Sequence, residues 1–456
     1  MSSTENRGQW ASRFGFIMAA AGSAVGLGNI WRFPYLTGQN GGAAFVVVYI
    51  LCVVLVGVPV MMNEMGLGRL TGKNAIGAFV TTGANKFWTF MGGVLAICVS
   101  FFVLSYYTVI AGWTIGYMGT SFLSQPVPFN DFIATPQYVV PLFALAMLVT
   151  VIIVLGGISG GIEKATKIMM PMLFVLLIII IIRSLTLPGA GAGVDYYLIP
   201  DFSKINGMVV LRALTQAFFS LGVGWGIMIT YGSYLPKSQS IVTSSLWVGA
   251  MDTSVALLAG LMVFPAVFAF HMEPGSGPTL VFEVLANIFP QMPFGHIAGA
   301  FFFLLLFIAA ITSTISMVEV VGAWLIDNKK WNRKKATWTV GIMAFIVGLP
   351  AALSNGTVDS FTTVRLLGQT GIMNIMDFLF GNIVMLIVVL TTSIYVGWII
   401  DTTRIVDEID SGSPFFKGNA LAGISPARLW IFFIRFICPI IIGLVVLNVL
   451  GVFGTS

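Results

Sequence analysis

Charged residues are scarce in this sequence. Of its 456 residues, 9% are Asp, Glu, Lys or Arg, whereas a soluble domain carries about 25%. Hydrophobic residues make up 57%, and the mean hydropathy is +0.97. This composition excludes an ordinary soluble domain and indicates a polytopic helical membrane protein. The net charge of +5 is spread over short loops, so no basic patch for nucleic acid is predicted.

Cysteine and histidine are also rare. The three cysteines, Cys52, Cys98 and Cys438, all lie in apolar runs. We interpret them as packing residues rather than as a disulfide framework or a metal site. The two histidines, His271 and His296, lie at the edges of apolar runs. The sequence offers no metal-ligand cluster, acid–base constellation or catalytic nucleophile, so it does not predict an enzyme.

Long apolar runs dominate the rest of the chain. A membrane-spanning helix needs roughly 20 apolar residues, and eleven stretches meet this length. The predicted spans are 13–36, 42–68, 88–122, 137–156, 162–187, 207–235, 241–271, 293–327, 336–354, 374–400 and 427–453. No cleavable signal peptide is predicted, because the polar beginning of the chain is followed by a run that is too long and too rich in glycine.

Basic residues are distributed unevenly between the two sides of these spans. If the N-terminus is cytoplasmic, most of the 22 Lys and Arg residues fall in inside segments. Because cytoplasmic loops carry the excess of Lys and Arg, we predict a cytoplasmic N-terminus and, with eleven spans, a C-terminus outside. The outer stretch Glu273–Pro293 is interpreted as a re-entrant or surface hairpin, and a plain loop remains an alternative.

Two spans carry glycine clusters at their centres. Ala21–Asn29 reads AGSAVGLGN, and Ser220–Gly226 reads SLGVGWG. Each glycine inside a helix costs about 1 kcal/mol relative to alanine, so a plain span would not place three together. Backbone that leaves a helix inside the membrane must bond to protein, water or a ligand. Glycine-interrupted spans in matching positions of two chain halves therefore indicate a transporter binding site.

Charged side chains within the spans are candidates for function. Asp252 has no cation adjacent in sequence, so it either binds a cation such as Na⁺ or is a neutral, hydrogen-bonded core residue. Arg32 and Asp377 lie toward the outer ends of spans 1 and 10, where they form either a gate or a static pair. Glu64 either braces the broken first span by accepting backbone N–H bonds or belongs to a buried structural pair. Glu319 is the remaining charge within a span.

Oxygen-bearing and aromatic side chains accompany the two glycine clusters. Asn29 and Ser220 are beside the predicted breaks, and Thr312 and Ser313 lie in the span-8 motif IAAITSTIS. Hydroxyl groups in membrane helices often bond back to their own helix, which is the competing interpretation for that motif. Free N–H groups at half-helix N-termini suit a carboxylate. Phosphate binding by a P-loop is excluded, because GLGN is followed by no lysine and lacks the strand context.

The first span, WASRFGFIMAAAGSAVGLGNIWRFPYLTGQNGGAAF, resembles the signature of the neurotransmitter:sodium symporter family. QAFFSLGVGWG, ITYGSYL, IAAITSTIS and MDFLFG extend the resemblance over nearly the whole chain. It implies an all-α membrane protein with 11 transmembrane helices, an inverted 5+5 repeat and discontinuous helices 1 and 6 (a LeuT-like fold). It also implies one transporter domain over 1–456, with repeats at about 13–187 and 207–400 and a peripheral helix at about 427–453.

Residue by residue, the resemblance implies two sodium sites and one substrate site. The first sodium site is formed by Ala24, Asn29, Ser220 and Asp252. The second is formed by Gly22, Val25, Ala309, Thr312 and Ser313. The substrate site is lined by Ala24, Gly26, Leu27, Gly28, Val103, Tyr107, Phe219, Ser220, Gly222, Trp225, Ser313 and Met317. The substrate carboxylate meets the backbone at the first break, Tyr107 and the first sodium ion.

The resemblance also implies two gates and a hinge. The outer gate is Arg32 with Asp377, above the aromatic lid Phe219. The inner gate is formed by Arg7, Trp10, Ser233, Tyr234 and Asp327. The hinge is formed by Gly161 and Pro171 at the start of span 5.

These residues together predict a sodium-coupled symporter that imports amino acids, hydrophobic ones in particular, by alternating access. We expect the protein to lie in a bacterial inner membrane, in contact with lipids. No obligatory protein partner is predicted. Because Asp252 supplies a negative charge where chloride-dependent members carry a neutral residue, we expect transport without chloride. One alternative is a proton-coupled amino-acid or amine transporter of the same architecture, with Asp252 carrying the proton. Another is a sensing or channel-like protein that binds amino acid without accumulating it.

Overall fold

The computed structural model describes residues 8–123, 127–271, 282, 286–291, 294–413, 415–418 and 424–452. The helices of the first half are α1 (Arg13–Ala24), α2 (Gly28–Gln39), α3 (Ala43–Thr71), α4 (Ala75–Thr81), α5 (Lys86–Thr120), α6 (Phe129–Ile133), α7 (Pro136–Leu155), α8 (Ile158–Leu185) and α9 (Ala190–Leu198). Those of the second half are α10 (Gly207–Ser220), α11 (Ile227–Gly232), α12 (Ile241–Ala269), α13 (Gly295–Lys329), α14 (Arg333–Ala352), α15 (Asp359–Thr362), α16 (Ile372–Ile399), α17 (Thr402–Ser411) and α18 (Pro426–Val449).

The remaining elements are short. Single helical or 3₁₀ turns lie at Phe202–Lys204, Ala286–Ile288 and Phe289–Gln291. Two strands, β1 (Arg365–Leu366) and β2 (Gln369–Thr370), pair antiparallel in a small hairpin. The predicted hairpin at Glu273–Pro293 lies mostly outside the described residues, so its form stays a prediction.

Nine helices of the described chain are long and apolar enough to cross a membrane: α3, α5, α7, α8, α12, α13, α14, α16 and α18. A tenth span is the bent pair α1 and α2, whose axes differ by 52°. The shorter apolar helix α10 and its continuation α11 occupy the predicted sixth span. This arrangement is compatible with the eleven predicted spans.

The first predicted break is present where its glycines lie. Helix α1 begins after Ser12, whose hydroxyl accepts the N–H of Gly15 at 3.0 Å. The helix ends at Ala24, because Val25 turns to extended backbone with a ψ of 111°. The chain resumes a helical path at Gly28. The break therefore covers the three residues 25–27, in the middle of the span.

The second break is longer and depends on glycine conformation. Between Ser220 and Ile227, three glycines have positive φ angles: Gly222 at 62°, Gly224 at 79° and Gly226 at 70°. Side chains with a Cβ adopt this left-handed region at a cost, whereas glycine adopts it freely. The alternating glycines of SLGVGWG thus permit a turn that no run of ordinary residues would form.

The two broken spans lie against a buried central helix. In the most apolar part of α13, 83% of the residues are buried, against 28% in α18. Helix α13 packs against α1, α5, α7, α8 and α14. Helix α18 packs on α16 and leaves most of its surface to the surroundings. The site described below therefore lies at the most buried level of the bundle.

Candidate functional site

A polar cluster joins the two breaks to α12. The Nδ2 of Asn29 donates to Ser220 Oγ at 2.9 Å and to Asp252 Oδ1 at 2.7 Å. The hydroxyl of Ser220 donates to Asp252 Oδ2 at 2.8 Å. All three side chains are buried. The structure thus brings together the side chains predicted for the first sodium site, from three separate helices.

Tyr49 of α3 completes this cluster. Its hydroxyl lies 3.2 Å from Ser220 Oγ and 3.3 Å from Asp252 Oδ2. In the described part of the chain, no basic nitrogen lies within the 4.0 Å ion-pair distance of the Asp252 carboxylate. A buried carboxylate without a cationic partner is costly. Carboxylate and hydroxyl oxygens are ligands that hard cations prefer, so the Asp252 carboxylate and the Ser220 hydroxyl fit Na⁺. The Asn29 amide oxygen accepts the N–H of Gly26 in this conformation.

A second group of oxygens lies where α1 ends beside α13. The hydroxyl of Ser313 is 3.4 Å from the carbonyl of Val25 and 3.3 Å from that of Ala309. Thr312 bonds back to Ala309 O at 3.0 Å. A Cβ on Gly22 would lie 3.3 Å from Thr312 Cβ. The five residues predicted for the second sodium site therefore lie at one helix contact, although Thr312 bonds to its own helix in this conformation.

A small cavity of about 10 Å³ lies between the two breaks. Its lining residues are Ser23, Ala24, Gly26, Gly28, Tyr107, Phe219, Ser220, Gly222, Trp225, Ser313 and Met317. Most of the predicted substrate residues are among them. Leu27 and Val103 are buried but lie outside this lining, and Leu27 lines a larger cavity instead. Glycine at position 26 is required by space, because a Cβ there would lie 2.6 Å from the Tyr107 hydroxyl.

Tyr107, which was predicted to meet the substrate carboxylate, lines the small cavity. Its hydroxyl accepts the backbone N–H of Leu27 at 2.7 Å, which leaves its own proton to donate into the cavity. We expect Tyr107→Phe to weaken the apparent affinity for substrate about tenfold, because one hydrogen bond to a charged group is lost. The apparent affinity for sodium should change less. Concentration series of labelled amino acid and of sodium, measured on the same preparation, check this; equal losses in both would contradict it.

A larger cavity, which we call the vestibule, lies beyond Phe219. It has a volume of about 210 Å³. Its lining residues are Leu27, Gly28, Trp31, Arg32, Tyr35, Tyr106, Tyr107, Ile110, Phe219, Met373, Asn374 and Asp377. Phe219 separates it from the small cavity, because the Phe219 ring lies against Gly28. This is the position predicted for an aromatic lid.

The predicted outer gate pair lies in the vestibule with its members apart. Arg32 donates to Asn382 Oδ1 at 3.1 Å, and its guanidinium lies 4.6 Å from the centre of the Phe219 ring. The Asp377 carboxylate accepts the Tyr106 hydroxyl at 2.8 Å instead. Among the described residues no ion pair joins Arg32 to Asp377. Each charge has a local partner that would have to be exchanged for the pair to form.

Glu64 braces the second break rather than the first. Its Oε1 accepts the backbone N–H of Gly224 at 2.7 Å. Of the two interpretations of Glu64, bracing of the first broken span is therefore wrong, and no ion pair of Glu64 is present among the described residues. The reason is geometric: α3 approaches the turn after α10 at this level. Gln216 lies beside the first break instead, because its Nε2 donates to the carbonyl of Gly28, the first residue of α2, at 2.9 Å.

At the opposite end of the site, Trp10 forms a seal with residues of the sixth span. The indole Nε1 donates to Tyr231 O at 3.1 Å. Its ring packs edge-on against Phe16, Tyr231 and Tyr234. The hydroxyl of Tyr234 donates to Glu319 at 2.7 Å, and Glu319 also pairs with Arg333 at 2.6 Å. We call this end of the molecule the Trp10 face.

The other predicted inner-gate residues lie nearby. Asp327 accepts the Asn74 side-chain amide at 2.8 Å. Ser233 bonds within its own turn, to Thr230 O at 2.6 Å. Arg7 lies outside the described residues, so its pairing with Asp327 stays a prediction. In this conformation Trp10 is buried among its aromatic neighbours, and the vestibule on the other side reaches as far as Phe219.

The predicted hinge residues occupy an irregular start of α8. Residues Ile158–Glu163 form a π-helical turn after Gly157, whose φ is 78°. Gly161 lies so close to α7 that a Cβ would meet Ile153 O at 2.1 Å. Pro171 lies inside the following helix, where it removes one backbone hydrogen bond. The segment thus has the features of a bending point, and its movement stays a prediction.

The sequence pointed to most of this site but missed several partners. Tyr49, Tyr106, Gln216 and Asn382 were not predicted, and each bonds a predicted residue across helices. Nothing in a single sequence distinguishes these side chains from packing residues. The fold and the site together define a membrane transporter of the broken-helix class.

Comparisons with known proteins identify the family. The profile of the sodium:neurotransmitter symporter family matches residues 7–136 and 129–455. The uncharacterized sodium-dependent transporter YhdH of Bacillus subtilis is 40% identical over 453 residues, which cover 97% of this chain and 98% of that protein. A sodium-dependent transporter of Haemophilus influenzae is 34% identical over 461 residues, covering 97% and 98%. The chain belongs to this family.

A solved structure supports the same fold. The crystal structure of MhsT in complex with L-phenylalanine superposes with a TM-score of 0.87 at 39% identity, covering 97% of this chain and 100% of that one. The chain therefore has the LeuT-like fold, with its inverted repeat and two discontinuous helices. It is a multi-pass cell-membrane transporter that depends on sodium, and it is not an enzyme.

Proposed function

We propose that this protein imports amino acids with hydrophobic side chains, in symport with Na⁺ and without chloride, by alternating access. The observation that carries the proposal is the contact of Asn29, Ser220 and Asp252 beside the cavity between the two breaks. A cation held there lies at short range from a substrate carboxylate at the first break. Because the surroundings are buried, the attraction between them is strong, and each ligand favours binding of the other.

The side-chain part of the cavity supports the hydrophobic class. Phe219, Trp225 and Met317 form its apolar wall, and the related MhsT was crystallised with L-phenylalanine. A cavity of about 10 Å³ has room for about one water molecule. An amino acid must therefore move Phe219 away from Gly28 as it enters from the vestibule. Binding would then let Phe219 close over it.

Alternating access follows from the two ends of the site. The Trp10 seal closes one end, while Arg32 and Asp377 remain apart at the other. We propose that bound sodium and substrate favour the pairing of Arg32 with Asp377 and then the release of the Trp10 seal. A ligand shifts this equilibrium by its differential affinity for the two states. The proposed orientation places the Trp10 face and the N-terminus in the cytoplasm and the C-terminus outside.

Uptake of a labelled hydrophobic amino acid into proteoliposomes tests this function. We expect accumulation with a Na⁺ gradient in chloride and in gluconate alike, and none with a H⁺ gradient alone. Accumulation driven by protons and indifferent to sodium would favour the proton-coupled alternative, in which Asp252 carries the proton. Counterflow exchange without net accumulation would favour a sensing or channel-like protein.

Thr312→Ala tests the second sodium site separately. We expect the apparent affinity for sodium to fall about tenfold, because one hydroxyl ligand is lost. Substrate affinity at saturating sodium should change little, since Thr312 does not line the cavity. Sodium titrations of uptake check this. Thr314→Ala is the matched control, because its hydroxyl bonds Ile311 and Thr150 on another side of α13. A substrate defect without a sodium defect would contradict the assignment.

A further inference from the structure

Glu163 holds the N-terminal segment with a buried carboxylate. Its Oε2 accepts the backbone N–H of Ala11 at 2.7 Å, and its Oε1 accepts the Ser12 hydroxyl at 2.8 Å. Lys167 pairs with the same carboxylate at 2.6 Å. The side chain of Glu163 is 1% exposed, whereas that of Lys167 is 34% exposed. The carboxylate thus points inward to the chain that leads into α1.

The packing around this carboxylate is tight. A Cβ on Gly15 would lie 2.0 Å from Glu163 Oε1, so the first turn of α1 rests directly on the carboxylate. The N–H groups at a helix start have no partner within the helix, and a negative charge there is favourable. Glu163 therefore stabilises the start of α1 from a neighbouring helix.

One end of this contact adjoins the Trp10 seal, which the proposed function requires to open, and the other end lies in the irregular turn that begins α8. Ala11 follows Trp10, which seals the Trp10 face through Tyr231 and Tyr234. Glu163 is the last residue of the π-helical turn that begins α8, four residues before Lys167. A displacement of that turn would withdraw the acceptor from Ala11 and Ser12. The Trp10 side chain would then lose the fixed backbone on which its position depends.

We propose that Glu163 is a positioning residue that couples the start of α8 to the Trp10 seal. While its carboxylate holds Ala11 and Ser12, the seal stays closed. When the π-helical turn moves, the seal is released. This inference rests on the proposed alternating access, since it assigns the contact that controls opening at the Trp10 face. Loss of the contact shifts the conformational equilibrium toward the state that is open at that face.

A reporter cysteine behind the seal tests the coupling. Ser316 is buried, and its hydroxyl contacts Ser23, which lines the small cavity. In a background with Cys52, Cys98 and Cys438 replaced by serine, Ser316→Cys would be labelled with a thiol reagent in purified protein with sodium. We expect Glu163→Ala to raise the labelling rate about tenfold, as the loss of bonds to a buried carboxylate predicts. Glu163→Gln should give an intermediate rate, because the amide keeps one acceptor oxygen.

Lys167→Gln is the matched control. It removes the exposed partner of the ion pair and leaves the bonds from Ala11 and Ser12 in place, so the labelling rate should stay near that of the wild type. An equal increase in Lys167→Gln would overturn the proposal, because the ion pair and not the contact with the N-terminal segment would then matter. An unchanged rate in folded Glu163→Ala would also overturn it; should that variant not fold, an unchanged rate in Glu163→Gln would do so.

Two further measurements distinguish coupling between α8 and the Trp10 seal from a general loss of folded protein. We expect Glu163→Gln to raise the sodium concentration for half-maximal uptake, while substrate affinity at saturating sodium stays unchanged. A purely structural role would lower the maximal uptake without changing the sodium concentration for half-maximal uptake relative to the substrate affinity. Labelling does not require transport, so a wild-type protein that fails to accumulate amino acid would refute the proposed function without deciding the role of Glu163.

Discussion

Replacing Asn29 with alanine is expected to weaken the apparent affinities for sodium and for substrate together, each by roughly 30- to 150-fold, the equivalent of about 2–3 kcal/mol. The reason is the position of the Asn29 amide. It bonds Ser220 and Asp252 through Nδ2, and its Oδ1 accepts the N–H of Gly26 at 3.0 Å. Truncation removes a side chain of the proposed cation site and also releases the backbone of the first break, where we propose that the substrate binds.

Parallel titrations of sodium and labelled amino acid measure the two losses. Asn63→Ala is the matched control, since Asn63 is a buried asparagine of α3 that bonds Thr392 O at 3.4 Å, outside the cluster. We expect that control to leave both apparent affinities near those of the wild type. A loss of substrate affinity in Asn29→Ala with an unchanged sodium affinity would contradict a shared site.

Asp252→Asn is expected to have a still larger effect on sodium. At a separation of about 4 Å and an effective dielectric constant near 20, two unit charges attract by about 4 kcal/mol. The Asp252 carboxylate supplies the negative charge of the cluster, and asparagine keeps its shape without that charge. We therefore expect sodium-driven uptake at a fixed sodium concentration to fall by roughly two to three orders of magnitude.

The same variant tests the independence from chloride. Wild-type uptake should be equal in sodium chloride and in sodium gluconate, because the negative charge is part of the chain. In Asp252→Asn, uptake should be higher in sodium chloride than in sodium gluconate, because chloride supplies part of the missing negative charge. Tyr49→Phe is a control that removes a hydrogen bond from the carboxylate and keeps its charge, so no chloride effect is expected there. Chloride-dependent uptake by the wild type would contradict the role given to Asp252.

The positions of the two breaks were predictable because their cause is local. Glycines in the middle of an apolar run are costly in a helix and free in a left-handed turn, and the structure breaks at both clusters. The contact among Asn29, Ser220 and Asp252 was predictable for a similar reason. Buried Asp252 required a partner, and Asn29 and Ser220 lay at the same depth as the breaks.

The contacts between helices were not predictable from the chain alone. Glu64, a charge within the second span, suggested a brace for the first break or a buried pair, but it accepts the N–H of Gly224 at the second break. Tyr49 lies in the apolar run VVVYILC. A tyrosine that bonds Asp252 and a tyrosine that only packs in the core would look the same in such a run. Val103 lies one helical turn from Tyr107 yet outside the cavity lining. Each outcome depends on how neighbouring helices approach, which one sequence does not specify.

A structure determined with sodium and a hydrophobic amino acid is the most direct test of the shared site. We predict density for the amino-acid carboxylate at the N–H groups of residues 26–28 and the Tyr107 hydroxyl. We also predict a sodium ion between that carboxylate and the oxygens of Asn29, Ser220 and Asp252. Amino-acid density confined to the vestibule above Phe219, with no ion at Asp252, would contradict the account.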